Sequence, residues 1–571
     1  MKLLTNQADK RYIFLTGDPK EMRALEQHMN KIPQYMLLPT FRGVPRPEVF
    51  LDKFKRGEQT IYYCAAGLWR EVMTFCQSKS IPINNIPNEF KLTEFDMSKD
   101  EFKEYVVSWG LSLEPYDYQI DAAWLILKYR QSLSELATRA GKTLILYIVA
   151  RTAMEKLGCK KILLIVPSIH LVKQGAEDLS EYKEFFNSEQ IWAQGEHVDT
   201  ANLTIGTFQS LVLKADRRSK KYNPSFFKDY DFVCVDEAHR LTCKSIRTIL
   251  ALDFMKQVKL QFGFTGTLPK PNTIENFCCQ AMMGPKIQEI SPRELIDGGY
   301  LAEPIIKQFR LKYDDNYLDT MIECAEYLCS NDVKHDGKQV LLPIEQRKFT
   351  MTHEKQLPGP IQQIKKLYDK EQYADYLQSM VKAASQSLVL EQMMVQRSEQ
   401  RIDFIDKIIN NLDKNVIVFA HNTEYINYLT KHFKVRFPNR VVKKITGSTT
   451  LKKRQQAIDE MLDANNVILV GSFGAVGTGL TFKNVDYVVF AQSFKSEIIT
   501  NQSLGRAMLR TENKKEFYLY DIIDVFPSKK IYNQGLAKVR SYKEHEYKYE
   551  VVNENVKYID LFKEQPLCEH A

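Results

Sequence analysis

The sequence predicts an α/β protein with two doubly wound parallel-sheet modules in tandem, a small N-terminal α+β domain and a mainly helical insertion. Three observations carry this reading. The chain has 571 residues, several times the roughly 100–200 of a typical domain. Short β-branched runs alternate with helical stretches from about residue 111 to residue 290. The same alternation resumes near residue 401. Strands apolar on both faces and separated by helices belong to a parallel sheet covered on both sides.

Residues 1–105 lack that alternation. A strand-like Arg11-Tyr12-Ile13-Phe14-Leu15 and a helix from Pro19 to Asn30 precede a Gly/Pro-rich turn at Arg42–Pro47. A strand (Thr60 to Cys64) and a helix (Leu68 to Ser78) complete a small α+β domain, in which Phe41, Arg42, Arg46 and Lys53 to Arg56 mix aromatic and basic character. The first module, residues 106–290, has strand runs Ile162–Val166, Phe232–Val235 and Leu260–Phe264. The second, residues 291–312 and 401–571, has Val416–Phe419, Val467–Val470, Tyr487–Phe490 and Phe517–Tyr520, then a terminal helix around Arg540, Tyr542 and Tyr547. Residues 313–400 are polar and helix-prone and read as an insertion.

Composition bounds the function. Hydrophobic residues at 44% and charged residues at 26% are ordinary globular values and exclude a mainly disordered chain. A net charge of +8 is a mild excess that permits an anionic partner without demanding one. No uncharged apolar run reaches the about 18 residues that span a bilayer, and the N-terminus lacks a hydrophobic signal core. A soluble, cytoplasmic chain is expected. The ten cysteines form no CxxC pair, so reduced, buried thiols are expected, and His239 with Cys243 is too small a set for zinc.

Chemistry enters at Thr138-Arg139-Ala140-Gly141-Lys142-Thr143, which precedes an apolar helix read as beginning at Leu144. This is the end of a phosphate-binding loop. Gly141 lets the backbone approach, and successive N–H groups with the helix N-terminus receive phosphate. Lys142 would reach the β- and γ-phosphates, and the Thr143 hydroxyl would ligate Mg²⁺. Leu136 replaces the first glycine of the full pattern, and Ala-Gly-Lys-Ser/Thr arises by chance in roughly one chain in fifty of this length. A second signal decides the matter. Asp236-Glu237-Ala238-His239 follows a buried strand, at the edge where parallel sheets bind ligands. Asp236 would hold Mg²⁺ and Glu237 would orient the attacking water. His239 reads as a relay rather than a metal ligand.

In order along the chain, these residues resemble the superfamily-2 helicases and translocases, whose two RecA-like modules bind ATP between them. Tyr118-Gln119 is similar to the adenine-reading glutamine element, and Pro167-Ser168 to motif Ia. Gly206-Thr207-Phe208-Gln209 is similar to the next backbone-contacting motif, and Thr265-Gly266-Thr267 to coupling motif III. In the second module, Val418–His421 and Thr446-Gly447 resemble motif IV and its follower. Gly477-Thr478-Gly479-Leu480 resembles motif V, and Gln502-Ser503-Leu504-Gly505-Arg506 resembles motif VI. The likeness implies that Gln502 and Arg506 act on ATP from the second module, and that Gly477 and Gly479 help bind it. It further implies nucleic-acid contacts from Pro167, Ser168, Gly206, Thr207, Gln209, Thr446, Gly447 and Thr478, with hydroxyls among the grips. The family's second motif VI arginine is displaced: Leu509 holds its usual place and Arg510 comes one later.

Within the superfamily the chain resembles the UvsW-type helicases of tailed phages, on its Thr-x-Ala-Gly-Lys-Thr loop, its Gln-x-x-Gly-Arg motif and its N-terminal α+β domain. That likeness implies an ATP- and Mg²⁺-dependent motor that remodels branched or forked DNA by fork regression, junction migration and strand annealing, in the cytoplasm of an infected bacterium; a monomer is expected. The residues leave an RNA helicase and a restriction-system motor open as alternatives. From another class, an ATP-gated clamp would bind without moving, although Glu237 argues against it.

Overall fold

The computed structural model describes residues 1–4, 10–32, 36, 47–83, 92–179, 186, 188–191, 201–314, 316–317, 320, 333–335, 338–340, 388–476, 484–493, 500, 503–505, 507–511, 514–526 and 529–561. The chain divides into two compact units, Met1–Ser291 and Pro292–Ala571.

The first unit begins with a four-stranded antiparallel sheet. It contains β1 (Lys2–Leu4), β2 (Tyr12–Thr16), β3 (Leu51–Arg56) and β4 (Gln59–Ala65), in the order β1-β2-β4-β3. The helix Pro19–Met29 starts where Asp18 accepts hydrogen bonds from the N–H groups of Lys20 and Glu21, with Pro19 at its first position. It and the helix Trp69–Ser78 cover one sheet face, burying Ile13, Leu15, Leu51 and Cys64. Phe277, from a helix of the following module, shares that core. The N-terminal domain is therefore packed onto the first module as one unit.

That module is a seven-stranded, wholly parallel sheet. Its strands are β5 (Gln131–Leu136), β6 (Ile162–Val166), β7 (Ser188–Ile191), β8 (Leu203–Thr207), β9 (Phe232–Val235), β10 (Leu260–Thr265) and β11 (Lys286–Ile290). They are ordered β11-β5-β10-β9-β6-β8-β7. Every residue of β6, β8, β9 and β10 is buried, as strands covered on both faces must be. Between β5 and β6 the helix Lys142–Lys156 is buried continuously from Leu144 to Ala150. It begins at Lys142, two residues before the start expected from hydropathy, because the phosphate loop itself supplies the cap.

The second unit has another parallel seven-stranded sheet. After β12 (Glu303–Tyr313) comes a short antiparallel pair, β13 (Val333–His335) and β14 (Lys338–Val340). The remaining strands are β15 (Val416–Ala420), β16 (Val441–Ile445), β17 (Val467–Ser472), β18 (Tyr487–Phe490), β19 (Glu516–Val525) and β20 (Lys548–Val556). Their order is β16-β17-β15-β18-β19-β12-β20. The terminal helix spans Lys530–Glu544, so Tyr547 lies past its end, and the chain returns as edge strand β20. Most of the expected insertion, and much of the Arg42–Pro47 turn, lies outside the described residues. From Leu388 the chain is helical, and buried Glu391 accepts the N–H of Ile531 at 2.7 Å, capping the terminal helix.

The sheet of this second unit is tied to its helices by buried charge. Asp524 on β19 accepts from Arg401 Nε at 2.9 and 3.0 Å and from the Tyr313 hydroxyl at 2.8 Å, and both members of the ion pair are fully buried. Asp521 accepts from Lys538, from Gln308 at 3.0 Å and from the Tyr542 hydroxyl at 3.1 Å. Removing one member of such a pair strands the other in low dielectric. Arg401→Met should therefore cost about 3–5 kcal/mol of stability in this unit. Arg401→Met/Asp524→Leu should recover at least half of that loss in urea denaturation; no recovery would show that packing, not charge, holds the pair.

Among the described residues no helix is long and apolar enough to cross a membrane. Of the described cysteines, Cys64, Cys76, Cys159, Cys234, Cys278 and Cys279 are buried free thiols and Cys243 is exposed.

Candidate nucleotide site and nucleic-acid contacts

The phosphate loop runs from the end of β5 to Lys142. Arg139 and Gly141 both have positive φ, 76° and 75°, flanking buried Ala140. The alternation turns successive N–H groups toward one concavity, the geometry that receives anions. Only glycine suits position 141: an added Cβ would fall 2.0 Å from Gln119 Nε2. The loop is braced from outside. Gln119 Nε2 and the Tyr118 hydroxyl both donate to Ala140 O, each at 3.1 Å, while Gln119 Oε1 accepts the Tyr116 N–H at 3.0 Å. Gln119 is only 4% exposed. Each end of its amide makes a hydrogen bond, and in this structure Gln119 positions the loop.

Facing the loop is the turn after β9. Asp236 and Glu237 are half-buried, and Glu237 sits in the left-handed region at φ 54°. For a residue with a Cβ this conformation costs on the order of 1 kcal/mol. It makes the chain turn sharply enough to leave both carboxylates at the sheet edge, with the Glu237 N–H donating to Asp236 Oδ1 at 2.9 Å. Burial and the charge of Glu237 push the Asp236 carboxyl up to about 6, against the pull of Lys142 and His239. Lys142 Nζ lies close to Gly266, 3.8 Å from where a Cβ would stand, and Thr138 Oγ1 is 3.4 Å from the same point. Thr138, Lys142 and the loop after β10 thus share one corner.

His239, Thr265 and Thr267 form a continuous chain. His239 Nδ1 lies 3.3 Å from Glu237 Oε2 and 3.0 Å from Thr265 Oγ1. The Thr265 hydroxyl is also 3.1 Å from Thr267 O, to which it can donate. Thr265 is fully buried. Sequence order suggested these residues as a set; the structure joins them to one another by hydrogen bonds and sets His239 beside the acidic pair.

The expected nucleic-acid residues fall at helix starts. Ser168 lies half-buried at the start of Ile169–Leu179, and its Oγ accepts the Leu171 N–H at 3.4 Å. Exposed Gln209 donates to Pro167 O at 3.2 Å, joining two motifs 42 residues apart. Gly206 packs against Leu211. The hydroxyl grips are corrected for two residues. Thr207 is 3% exposed, and its hydroxyl caps the helix Phe208–Ala215 through Ser210. Thr446 is 2% exposed, with its hydroxyl 3.0 Å from Ser448 Oγ. Gly447 beside it is exposed. Gly477, Thr478, Gly479, Gln502 and Arg506 lie outside the described residues. Arg510 is exposed, its guanidinium against Gly299: a Cβ there would lie 2.9 Å from Arg510 Nη1. Lys214, Arg217, Arg218, Lys220 and Lys221 cluster in sequence between the Gly206–Gln209 motif and the acidic pair; Arg218 pairs with Asp216 at 2.7 Å and Lys214 lies over the Phe226 ring.

Two family models match the chain, and several known proteins are similar to it. The family described as Type III restriction enzyme, res subunit, matches residues 112–270, and the Helicase conserved C-terminal domain matches residues 400–509. The chain is similar to the ATP-dependent DNA helicase uvsW of Enterobacteria phage T4, 24% identical over 471 residues, which is 80% of this chain and 78% of that one. It is similar also to the DNA 3'-5' translocase XPB2 of Sulfurisphaera tokodaii, 25% identical over 271 residues, covering 47% of this chain and 54% of that one. The crystal structure of T4 UvsW aligns over 97% of this chain and 99% of its own, with 20% identity and a TM-score of 0.42.

Because the folded pKa of Asp236 is raised, its neutral form favours folding: the contribution is full below pH 4 and is lost as pH rises through about 6. Asp236→Asn should therefore stabilise the nucleotide-free protein by about 1–3 kcal/mol at pH 8 and by nothing at pH 4, while abolishing ATP hydrolysis. Melting curves at the two pH values check this; an equal shift at both would locate the effect in packing.

Proposed function

We propose that this chain, a superfamily-2 ATP-driven DNA helicase, works on branched or forked DNA. The observation that carries the mechanism is the link between acidic pair and motif III loop: His239 Nδ1 stands 3.3 Å from Glu237 Oε2 and is hydrogen-bonded to Thr265, which donates to Thr267 O. Lys142 and the loop N–H groups bind the phosphates, and Glu237 orients the water that attacks the γ-phosphorus. Loss of the γ-phosphate changes the charge facing Glu237, and His239 passes that change to the loop after β10. Arg506 serves as the cation on the transferred phosphoryl group, a role typically worth about 10³–10⁵ in rate. Arg510, seated against Gly299, is secondary.

The Thr143 hydroxyl and the Asp236 carboxylate are hard oxygen donors suited to Mg²⁺, and burial together with the charge of Glu237 raises the Asp236 carboxyl, a penalty that a divalent cation would relieve. When bound, the ion supplies charge neutralisation at the phosphates. The branched substrate rests on the UvsW-type resemblance, and so does action in the cytoplasm of an infected bacterium, where the chain is proposed to act as a monomer.

Steady-state ATP hydrolysis, with Lys142→Ala as the blank, should be stimulated more by forked DNA than by single-stranded DNA or RNA. Stimulation by RNA alone would overturn the DNA reading. Thr265→Val, which removes the hydroxyl between His239 and Thr267, should keep at least a third of the DNA-stimulated hydrolysis yet lose tenfold or more in strand displacement. Equal losses in both would show that the link serves chemistry rather than coupling.

A further inference from the structure

All strands of the second sheet are parallel, so their C-terminal ends lie along one edge. At one end of that edge, after β16, stand Thr446 and Gly447. At the other, after β12, β19 and β20, is an open groove of about 650 Å³. Five strand spacings separate β16 from β12, about 24 Å. The floor of the groove is aromatic: Tyr313 stacks on Phe526 with ring centroids 5.1 Å apart, and Tyr317 meets Phe526 edge-on at 5.8 Å. Its rim carries Lys312, Lys529 and Lys557, all exposed. Many lysines of this chain pair with carboxylates, as Lys53 does with Glu26 and Lys103 with Asp117. These three have no ion-pair partner among the described residues. The acidic group in the lining, Asp314, is occupied, accepting from the Tyr558 N–H at 2.8 Å and from Asn316 at 3.1 Å. Lys529 is moreover held at φ 56°, a conformation disfavoured for lysine that places it on the rim.

We infer that this groove is a second seat for the nucleic-acid backbone, in which Lys312, Lys529 and Lys557 contact phosphates of one strand. The inference rests on the nucleic-acid reading above. Three unpaired ammonium groups over an apolar floor suit a repeating anion whose sugars and bases are less polar than its phosphates. The seat shares its edge with the Thr446-Gly447 turn, so one strand can follow the edge from turn to groove. The three lysines meet phosphates, which carry no sequence information, so their share of binding is independent of sequence.

The test is binding of a fluorescent 20-nucleotide oligothymidylate by the full chain across a range of KCl. Each phosphate of a single strand that the protein no longer neutralises lowers the slope of log K against log salt by about 0.7. The triple variant Lys312→Gln/Lys529→Gln/Lys557→Gln should lower the slope by about 2 relative to wild type, and the corresponding triple Arg variant should keep it. An unchanged slope in the Gln variant would overturn the inference. So would polyglutamate binding to wild type that the Gln variant loses while its oligothymidylate slope stays unchanged, since that would assign the groove to an acidic protein. Failure of wild type to bind any DNA would instead remove the nucleic-acid reading itself. Should the Gln variant fold poorly, photo-cross-linking from benzoylphenylalanine placed at Asn555, on the groove wall, gives a second readout: adducts with oligothymidylate support the seat and their absence refutes it.

Discussion

Two carboxylates one residue apart at the end of a buried strand repel each other, and the first unit is arranged around that repulsion. Separating them would be easy on a surface loop, where water screens the charge. Here β9 delivers Asp236 and Glu237 from an interior in which Val233, Cys234 and Val235 are fully buried. The pair persists because Lys142 approaches from the phosphate loop, because Glu237 takes a strained backbone turn, and because His239 stands beside the outer carboxylate. Each compensation is also a functional part. A protein selected for stability alone would have neutralised Asp236; a site that must receive polyphosphate with its counter-cation has reason to keep it.

The second unit uses buried charge differently. Asp521 and Asp524 stand on β19, and their partners Lys538, Tyr542, Gln308, Arg401 and Tyr313 come from helices and a neighbouring strand. Burial pulls the Lys538 ammonium down and Asp521 opposes it, so the pair holds together only while both stay enclosed. Such pairs are weak sources of stability but strict about geometry. They fix the terminal helix and β12 on the edge of the sheet that carries the aromatic groove. Glu391 adds a further tie, from the end of the expected insertion to the start of that helix.

The sequence was most legible where one physical demand dominates. Buried parallel strands must be apolar throughout, so Ile162–Val166, Phe232–Val235 and Val467–Val470 stood out. The acidic turn and the Gly-Lys-Thr loop stood out because few other structures need those residues in that order. What escaped is where side chains repair a polar sequence. Strand β5, Gln131-Ser-Leu-Ser-Glu-Leu, reads as a polar loop, yet Ser132 and Ser134 are fully buried at a position between β10 and β11. Ser134 Oγ accepts from Gln288 at 2.9 Å and Gln131 donates to Gln261 at 3.1 Å, pairings that no hydropathy pattern announces. Edge strand β20 escaped for the opposite reason: its exposed residues carry no apolar signal. That Gln119 braces the phosphate loop is likewise visible only in the geometry, which shows a hydrogen bond at each end of its amide.

The same distinction bears on how the chain holds nucleic acid. Sequence motifs pointed to threonine hydroxyls, but Thr207 and Thr446 turn theirs inward, Thr207 to cap a helix and Thr446 onto its neighbour Ser448. The cap takes up one first-turn N–H, and the N–H groups it leaves at the helix start are the feature that attracts phosphate whatever the base. Bulk charge cannot substitute for this, because a net +8 is small for 571 residues and many surface lysines are already paired. Affinity for a polyanion must then come from local sites where positive groups are left uncompensated. On the proposed reading these are, in the first unit, the helix starts after β6 and β8, where Ser168 and Thr207 stand, and in the second the turn after β16 and the lysine-rimmed groove after β12, on one sheet edge. A motor that must release and regrip at every cycle is better served by several weak, sequence-blind seats of this kind than by one strong basic patch, since each can be broken for the free energy a single hydrolysis supplies.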